Sequence, residues 1–366
     1  MKPSLDGMQA VKKLTRSGKL LEATALIQQL LSGQNKAYAS ADKTLPLREA
    51  EWAAQSVGLK LSRSGEGQKE ANRHKPMSGV GCDPGHFENR QYSCDLGRRS
   101  YKLFTPSRHG GELMPLVIML HGCTQTPDDF AAGTQMNELG EELGFLVAYP
   151  AQSSSANPNG CWNWFKTSDQ QKDAGEPALI AGIVREIVAD YAVDASRVYV
   201  AGLSAGGAMA AILGMTYPEL FAAIGVHSGL PFGAATDVAS AFKAMKRGPN
   251  QVAGSRSGQT VPTIVFHGDR DRTVNPANAD GVLAQFDLQG PSDQYMTSFE
   301  NSPNGLKYVK SVQSDDNGKP MFEKWLVKGA GHAWSGGSPR GSYTEPRGPE
   351  ASREMIRFFL KHKLGE

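Results

Sequence analysis

The heptapeptide Ala201-Gly202-Leu203-Ser204-Ala205-Gly206-Gly207 follows the apolar run Arg197-Val198-Tyr199-Val200, so Ser204 stands in a Gly-x-Ser-x-Gly pattern at a strand-to-helix junction. A turn this sharp needs glycine two residues before and two after the serine, because a Cβ there would strike the neighbouring strand or the opening helix. The hydroxyl is then held out at the top of a sheet, where a nucleophile would be wanted. An ordinary helix N-cap can carry the same letters, so the rest of the chain must supply partners for the serine.

Two downstream segments do so. Val261 to Phe266 reads as a buried strand running into His267-Gly268-Asp269-Arg270-Asp271, which delivers an acid at the strand's end. Met321 to Val327 alternates into another strand, and Lys328-Gly329-Ala330-Gly331-His332 then presents a histidine on a glycine-rich loop. Serine hydroxyl is a poor nucleophile at its own pKa, so a neutral imidazole, here His332, must take its proton and return it to the leaving group. A buried carboxylate must fix the imidazole tautomer and stabilise the imidazolium, and Asp271 is assigned that role. Asp269 reads as a turn-former and is the alternative acid. The order serine, acid, histidine is that of α/β-hydrolases.

A tetrahedral oxyanion needs two backbone donors. The first is the N–H of Ala205, at the positive end of the helix opening there. The second comes from the break of the apolar strand Leu116–Leu120 at His121-Gly122-Cys123, and Cys123 N–H is the choice. His121 and His267 each cap a buried strand and read as structural hydrogen-bonders. Trp162, Trp164 and Phe165 on one loop, and Trp334 just past the histidine, are candidate cleft-lining rings; Trp162 and Trp334 are the substrate-binding assignments. Asp173 and Glu176 precede a helix start and are read as serving its N-terminus.

Composition narrows the function further. A net charge of +2 over 366 residues gives no footprint for nucleic acid, and no apolar run reaches the length of a spanning helix. The eight histidines and four cysteines do not fall at zinc-ligand spacing, and no Gly-x-Gly-x-x-Gly follows a strand, so neither metal nor cofactor is expected. Cys82 with Cys94, and Cys123 with Cys161, are plausible pairs across loops, with free thiols the alternative. Oxidation of the second pair would suit a secreted or periplasmic protein; otherwise the cytoplasm is expected, since no secretory leader is read at the start.

Residues 1–33 carry apolar positions at helical spacing broken at Ser17-Gly18, a helical hairpin that is a candidate for docking or oligomerisation. Residues 34–76 are polar and read as a flexible linker, which leaves 77–366 as the catalytic domain. Strands are expected at Ser100–Thr105, Pro115–Leu120, Phe145–Tyr149, Arg197–Ala201, Ala222–Val226, Val261–Phe266 and Met321–Val327. Helical patterns cover Asp128–Leu143, Glu176–Tyr191, Ala205–Met215 and Pro349–Lys363. This βα alternation predicts a doubly wound, mostly parallel sheet with its active loops at the strand carboxyl ends. Residues 231–260 form an insertion that reads either as a lid, with Phe232, Phe242 and Met245 over the site and Arg247 to Gln259 mobile, or as a solvated surface excursion.

Five blocks in order, His121-Gly122-Cys123-Thr124-Gln125, Cys161-Trp162-Asn163-Trp164-Phe165, Gly202-Leu203-Ser204-Ala205-Gly206-Gly207, His227-Ser228-Gly229 and Gly331-His332-Ala333-Trp334-Ser335-Gly336-Gly337, resemble the esterase family of short-chain polyhydroxyalkanoate depolymerases. The resemblance spans roughly residues 95 to 362 and extends to feruloyl and acetylxylan esterases. It implies an α/β-hydrolase fold, a triad of Ser204, Asp271 and His332, and oxyanion donors at Cys123 and Ala205. It implies an ester substrate, most directly a polyhydroxybutyrate-type polyester or its oligomers, with a carbohydrate esterase, a serine peptidase of the same fold or a non-catalytic binding protein as alternatives. Unlike the secreted polymer-degrading members, this sequence shows no evident leader and no binding domain after Glu366. A soluble oligomer, an amorphous granule or a small ester is therefore the expected substrate.

Overall fold

The structure is a computed structural model, and it describes residues 85–107, 110–249, 260–286, 295–303 and 305–365. The hairpin expected at 1–33 and the linker at 34–76 lie outside the described residues, as do the first residues of the domain expected from 77. Ten strands form one sheet. In chain order these are β1 His86–Cys94, β2 Gly97–Thr105, β3 Met114–Leu120, β4 Leu146–Pro150, β5 Val193–Leu203, β6 Ala223–His227, β7 Thr263–Gly268, β8 Met296–Asn301, β9 Lys307–Ser314 and β10 Pro320–Val327. Their order across the sheet is β1-β2-β4-β3-β5-β6-β7-β10-β9-β8. From β4 through β10 the neighbours are parallel, whereas β1–β2 at one edge and β8–β9 at the other attach antiparallel. This is the α/β-hydrolase fold.

All seven expected strands are present, with ends shifted by a few residues. The edge strands β1, β8 and β9 were not expected, and their composition explains why. His-Phe-Glu-Asn-Arg-Gln-Tyr-Ser-Cys in β1 and Met-Thr-Ser-Phe-Glu-Asn in β8 are mostly exposed and carry no apolar alternation to read. Seven helices matter to the argument: α1 Pro127–Thr134, α2 Met136–Leu143, α3 Gly175–Asp190, α4 Ala205–Thr216, α5 Val238–Arg247, α6 Ala277–Ala284 and α7 Ala351–Phe359. The helix expected over Asp128–Leu143 is thus two, because Gln135 adopts φ 54° and caps α1 with its N–H on the Ala131 carbonyl.

Strand β3 is apolar along its whole length because both its faces are covered. In β3, Leu116, Ile118 and Leu120 enter one core with Ile180, Ile183 and Ile187 of α3 and Met209 of α4. Val117 and Met119, the alternate residues, enter the other core with Phe130 of α1, Leu139 of α2 and Met355 and Phe359 of α7. Period-two alternation between two buried faces therefore leaves a continuous hydrophobic run in the sequence.

The second core is locked to the nucleophile's strand by α7. Phe359 stacks on Tyr199 of β5 at 5.0 Å between ring centroids, and the Tyr199 hydroxyl donates to the His362 carbonyl at 2.8 Å. Both rings are fully buried. Phe359→Ala is expected to lower unfolding stability by about 3–5 kcal/mol, read from urea denaturation.

Candidate active site

Strand β5 ends at Leu203 and α4 begins at Ala205, so Ser204 alone makes the turn, at φ 57° and ψ −118°. A Cβ on Gly202 would lie 2.7 Å from the Leu120 carbonyl oxygen, and one on Gly206 would lie 2.6 Å from that of His121. Glycine at both positions is therefore a steric requirement of packing the elbow against the end of β3. The Ser204 N–H donates to the His227 carbonyl at 2.9 Å, which ties the elbow to the end of β6. Among the described residues the N–H groups of Ala205 and Cys123 make no backbone hydrogen bond outside regular elements, so both are available to an anion.

The acid and the histidine meet directly. Asp271 Oδ2 accepts from His332 Nδ1 at 2.6 Å, while its Oδ1 accepts from the N–H groups of Thr273 at 2.8 Å and Val274 at 2.9 Å. His267 Nε2 lies 3.3 Å from the same Oδ2 and 2.9 Å from the Val274 carbonyl. Burial alone would push the Asp271 carboxyl up, but the hydrogen bonds from His267 and His332, with backbone donation from Val274, outweigh it and hold the group well below the usual carboxylate range. An ionised Asp271 fixes the proton of His332 on Nδ1 and leaves Nε2 as the base. Asp269 points elsewhere: its Oδ1 accepts from the Gly329 N–H at 2.6 Å, and its Oδ2 lies 3.5 Å from Lys328 Nζ. It is the turn-former, and Asp271 is the partner of His332.

His227, which sequence reasoning did not single out as a functional residue, joins the nucleophile to the base loop. Its carbonyl holds Ser204, and its ring Nε2 accepts from the Ser335 N–H at 2.9 Å, three residues past His332. The ring stacks on Trp334 at 5.0 Å and on Phe266 at 5.8 Å. Burial, with the nearby His267 and His332 adding to it, holds His227 well below the ordinary imidazole value, so it stays a neutral acceptor. The available signals were its position at the end of an apolar run and its place in the His227-Ser228-Gly229 block. Among the described residues no hydrogen bond joins Ser204 Oγ to His332; the acid–base bond is made and the nucleophile–base bond is open, as is common before substrate binds.

The oxyanion loop is braced from behind. Cys123 and Cys161 form a disulfide, whereas Cys94 is an exposed free thiol; Cys82, the partner expected for it, lies outside the described residues. His121 donates from Nδ1 to the Gly122 carbonyl at 2.8 Å and accepts at Nε2 from the Gln152 N–H at 3.1 Å, the structural role expected of it. Glu176 stands in the first turn of α3, as expected, and its carboxylate also reaches across to the Trp162 loop. Asp169 takes the Glu176 N–H at 2.8 Å, and the buried Glu176 carboxylate accepts from Asn163 N and Nδ2, each at 2.7 Å, with Gln152 and Arg99 beside it.

Three expectations are corrected. Trp162 is 0% exposed and Trp334 is 1% exposed, so neither ring lines a cleft. The Trp162 indole donates to the His121 carbonyl at 3.1 Å, and that of Trp334 donates to Ser352 Oγ at 3.0 Å; both are pillars under the loops rather than surfaces above them. The insertion is not built as a cover in its described part. Phe232 is buried in the first core and Met245 packs against it, leaving Phe242 partly exposed. The end of α5 instead holds the acid loop. The Met245 carbonyl accepts from Asn275 N–H at 2.7 Å, and Lys246 Nζ donates to the Arg272 carbonyl at 2.7 Å. Of residues 247–259, expected to be mobile, Arg247 is the last residue of α5, and 250–259 lie outside the described residues.

A sequence model of the family described as Esterase PHB depolymerase matches residues 99–295, more than half of the chain. Poly(3-hydroxyalkanoate) depolymerase C of Paucimonas lemoignei is 36% identical over 229 residues, covering 60% of this chain and 54% of that protein. The chain thus spans about half of that relative's length. Feruloyl esterase B of Neurospora crassa is 31% identical over 264 residues, 67% of this chain and 82% of that protein. Among solved structures, acetyl xylan esterase from Aspergillus awamori superposes with a TM-score of 0.57 at 20% identity, covering 75% of this chain and 99% of that one, a likeness of fold.

The buried histidines set a pH dependence. Burial lowers His121, His227 and His362, the last to about 4. Unfolded histidines titrate near ~6.5, so below that pH the unfolded chain binds more protons than the folded one, and stability falls at about 1.4 kcal/mol per pH unit for each neutral histidine. Glu176, raised by burial, works in the opposite sense, and the depressed Asp271 acts only at more acid pH. The urea midpoint is expected to be lower at pH 5.5 than at pH 7.5.

Proposed function

Because this chain belongs to the esterase family of PHB depolymerases, we propose that it is a serine carboxylic-ester hydrolase that works through an acyl-enzyme on polyhydroxyalkanoate-type esters. The observation that carries this reading is the 2.6 Å bond between Asp271 and His332, joined through His227 to a serine on a strained elbow. Ser204 Oγ attacks the ester carbonyl while His332 Nε2 takes its proton. The carbonyl oxygen, now an anion, receives the N–H groups of Ala205 and Cys123. His332 then protonates the departing alkoxide, which leaves the acyl group on Ser204. Water enters, His332 takes a proton from it, and the second tetrahedral species collapses to release the acid and restore the serine. Asp271 stays ionised throughout and stabilises the imidazolium.

The polyester depolymerase relative supports a hydroxyalkanoate acyl group, and the feruloyl esterase relative supports an aromatic one as the second reading. The disulfide next to the Cys123 donor favours an oxidising compartment as the place of action. Ser204→Ala is expected to reduce hydrolysis of p-nitrophenyl butyrate by about 10⁴-fold or more and to abolish labelling by a fluorophosphonate, with the fold retained by circular dichroism. Wild-type turnover in that variant would overturn the assignment. Comparison of hydroxybutyrate oligomers with methyl ferulate separates the two acyl groups.

A further inference from the structure

We propose that Tyr343 is a substrate-contacting residue at the rim of this site, an aromatic plate for the chain of an extended hydroxyalkanoate ester beyond the bond that is cut. The proposal rests on the ester-hydrolase reading and names a binding element for it. Tyr343 connects the two loops that carry the chemistry. Its carbonyl accepts from the Trp334 N–H at 2.7 Å, two residues past His332, and its hydroxyl lies 3.2 Å from Thr124 Oγ1, one residue past Cys123. Its side chain therefore spans from the base loop to the oxyanion loop.

The backbone here is held, and held in an unusual state. Tyr343 has φ 52° and Thr124 φ 66°, both left-handed conformations that bulky or branched side chains rarely adopt and that persist only where their surroundings enforce them. The neighbours of Tyr343 supply that force. Ser342 N–H and Oγ donate to the Asp129 carboxylate at 2.9 and 2.6 Å, and Gln125 Nε2 donates to the Ser342 carbonyl at 3.1 Å. On the other side Thr344, in the short strand β12 Thr344–Glu345, pairs with Trp334 in β11 Trp334–Ser335.

Between these anchors Tyr343 is 46% exposed. Its hydroxyl is engaged with Thr124, so what it offers a ligand is ring face. A rigid, pre-positioned aromatic surface binds methyl and methylene groups with little further loss of conformational freedom. Such a surface suits the next monomer of an oligoester and has no counterpart to touch in a substrate as short as an acetyl ester.

The test compares kcat/KM of wild type, Tyr343→Ala and Tyr343→Phe on p-nitrophenyl acetate and on the linear trimer of 3-hydroxybutyrate. Tyr343→Ala is expected to lower the trimer-to-acetate ratio about tenfold, through KM for the trimer, whereas Tyr343→Phe keeps the ratio within about twofold of wild type. An unchanged ratio in Tyr343→Ala, with both substrates falling together, would make the residue a loop brace and overturn the proposal. So would a Phe variant as impaired as the Ala variant, which would assign the effect to the hydroxyl. A wild type that cleaves the acetate but not the trimer overturns this proposal and leaves the esterase reading standing; a wild type inert on both overturns the two together.

Discussion

Three backbones approach at the limit of contact where the Leu120 and His121 carbonyls meet Gly202 and Gly206. The rest of the site is referred to that point. Because no Cβ fits, the end of β3 is pressed against the start of α4, and the loop bearing Cys123 must leave β3 beside the helix end that carries Ala205. The strain at Ser204 is sustained by the same packing, since the apolar residues on both faces of β3 and β5 are committed to the two cores.

The second half of the site hangs from β6 and β7. His227 receives one hydrogen bond at its carbonyl from the elbow and one at its ring from the base loop, and Asp271 is oriented by two backbone donors before any histidine reaches it. A neutral imidazole used as an acceptor and an anionic carboxylate saturated with donors are both inexpensive to bury. His227 and Asp271 are thus satisfied polar groups beside the Ser204 elbow, whereas the buried His267 Nδ1 has no partner among the described residues.

How much of this was legible follows from what kind of signal each residue carries. Ser204 was readable because sterics around a sharp turn demand glycines at fixed spacing, and His332 because it stands on a glycine-rich loop directly after an alternating strand. Asp271 and Asp269 sit two residues apart on one loop, and the choice between them was made in space by which carboxylate faces His332. Gln135 carries no mark of a helix break in its side chain, so the split between α1 and α2 was hidden. Trp162 and Trp334 misled because a ring in a glycine-rich loop looks the same in sequence whether it turns outward or inward. The Cys123–Cys161 bond and the buried Glu176 carboxylate draw the Trp162 loop inward, and those are contacts between distant parts of the chain. Tyr343 was missed for the converse reason: nothing in Gly-Ser-Tyr-Thr-Glu announces a left-handed tyrosine.

The grip of α5 on the loop of Asp271 makes an apparent accessory into a foundation. Met245 and Lys246 hold Asn275 and Arg272, which flank the very backbone donors that aim the carboxylate. Engineers who exchange such insertions between related enzymes to broaden their diet would here be moving the footing of the proton relay, and a graft that kept every triad side chain in place would still need to rebuild those two anchor points.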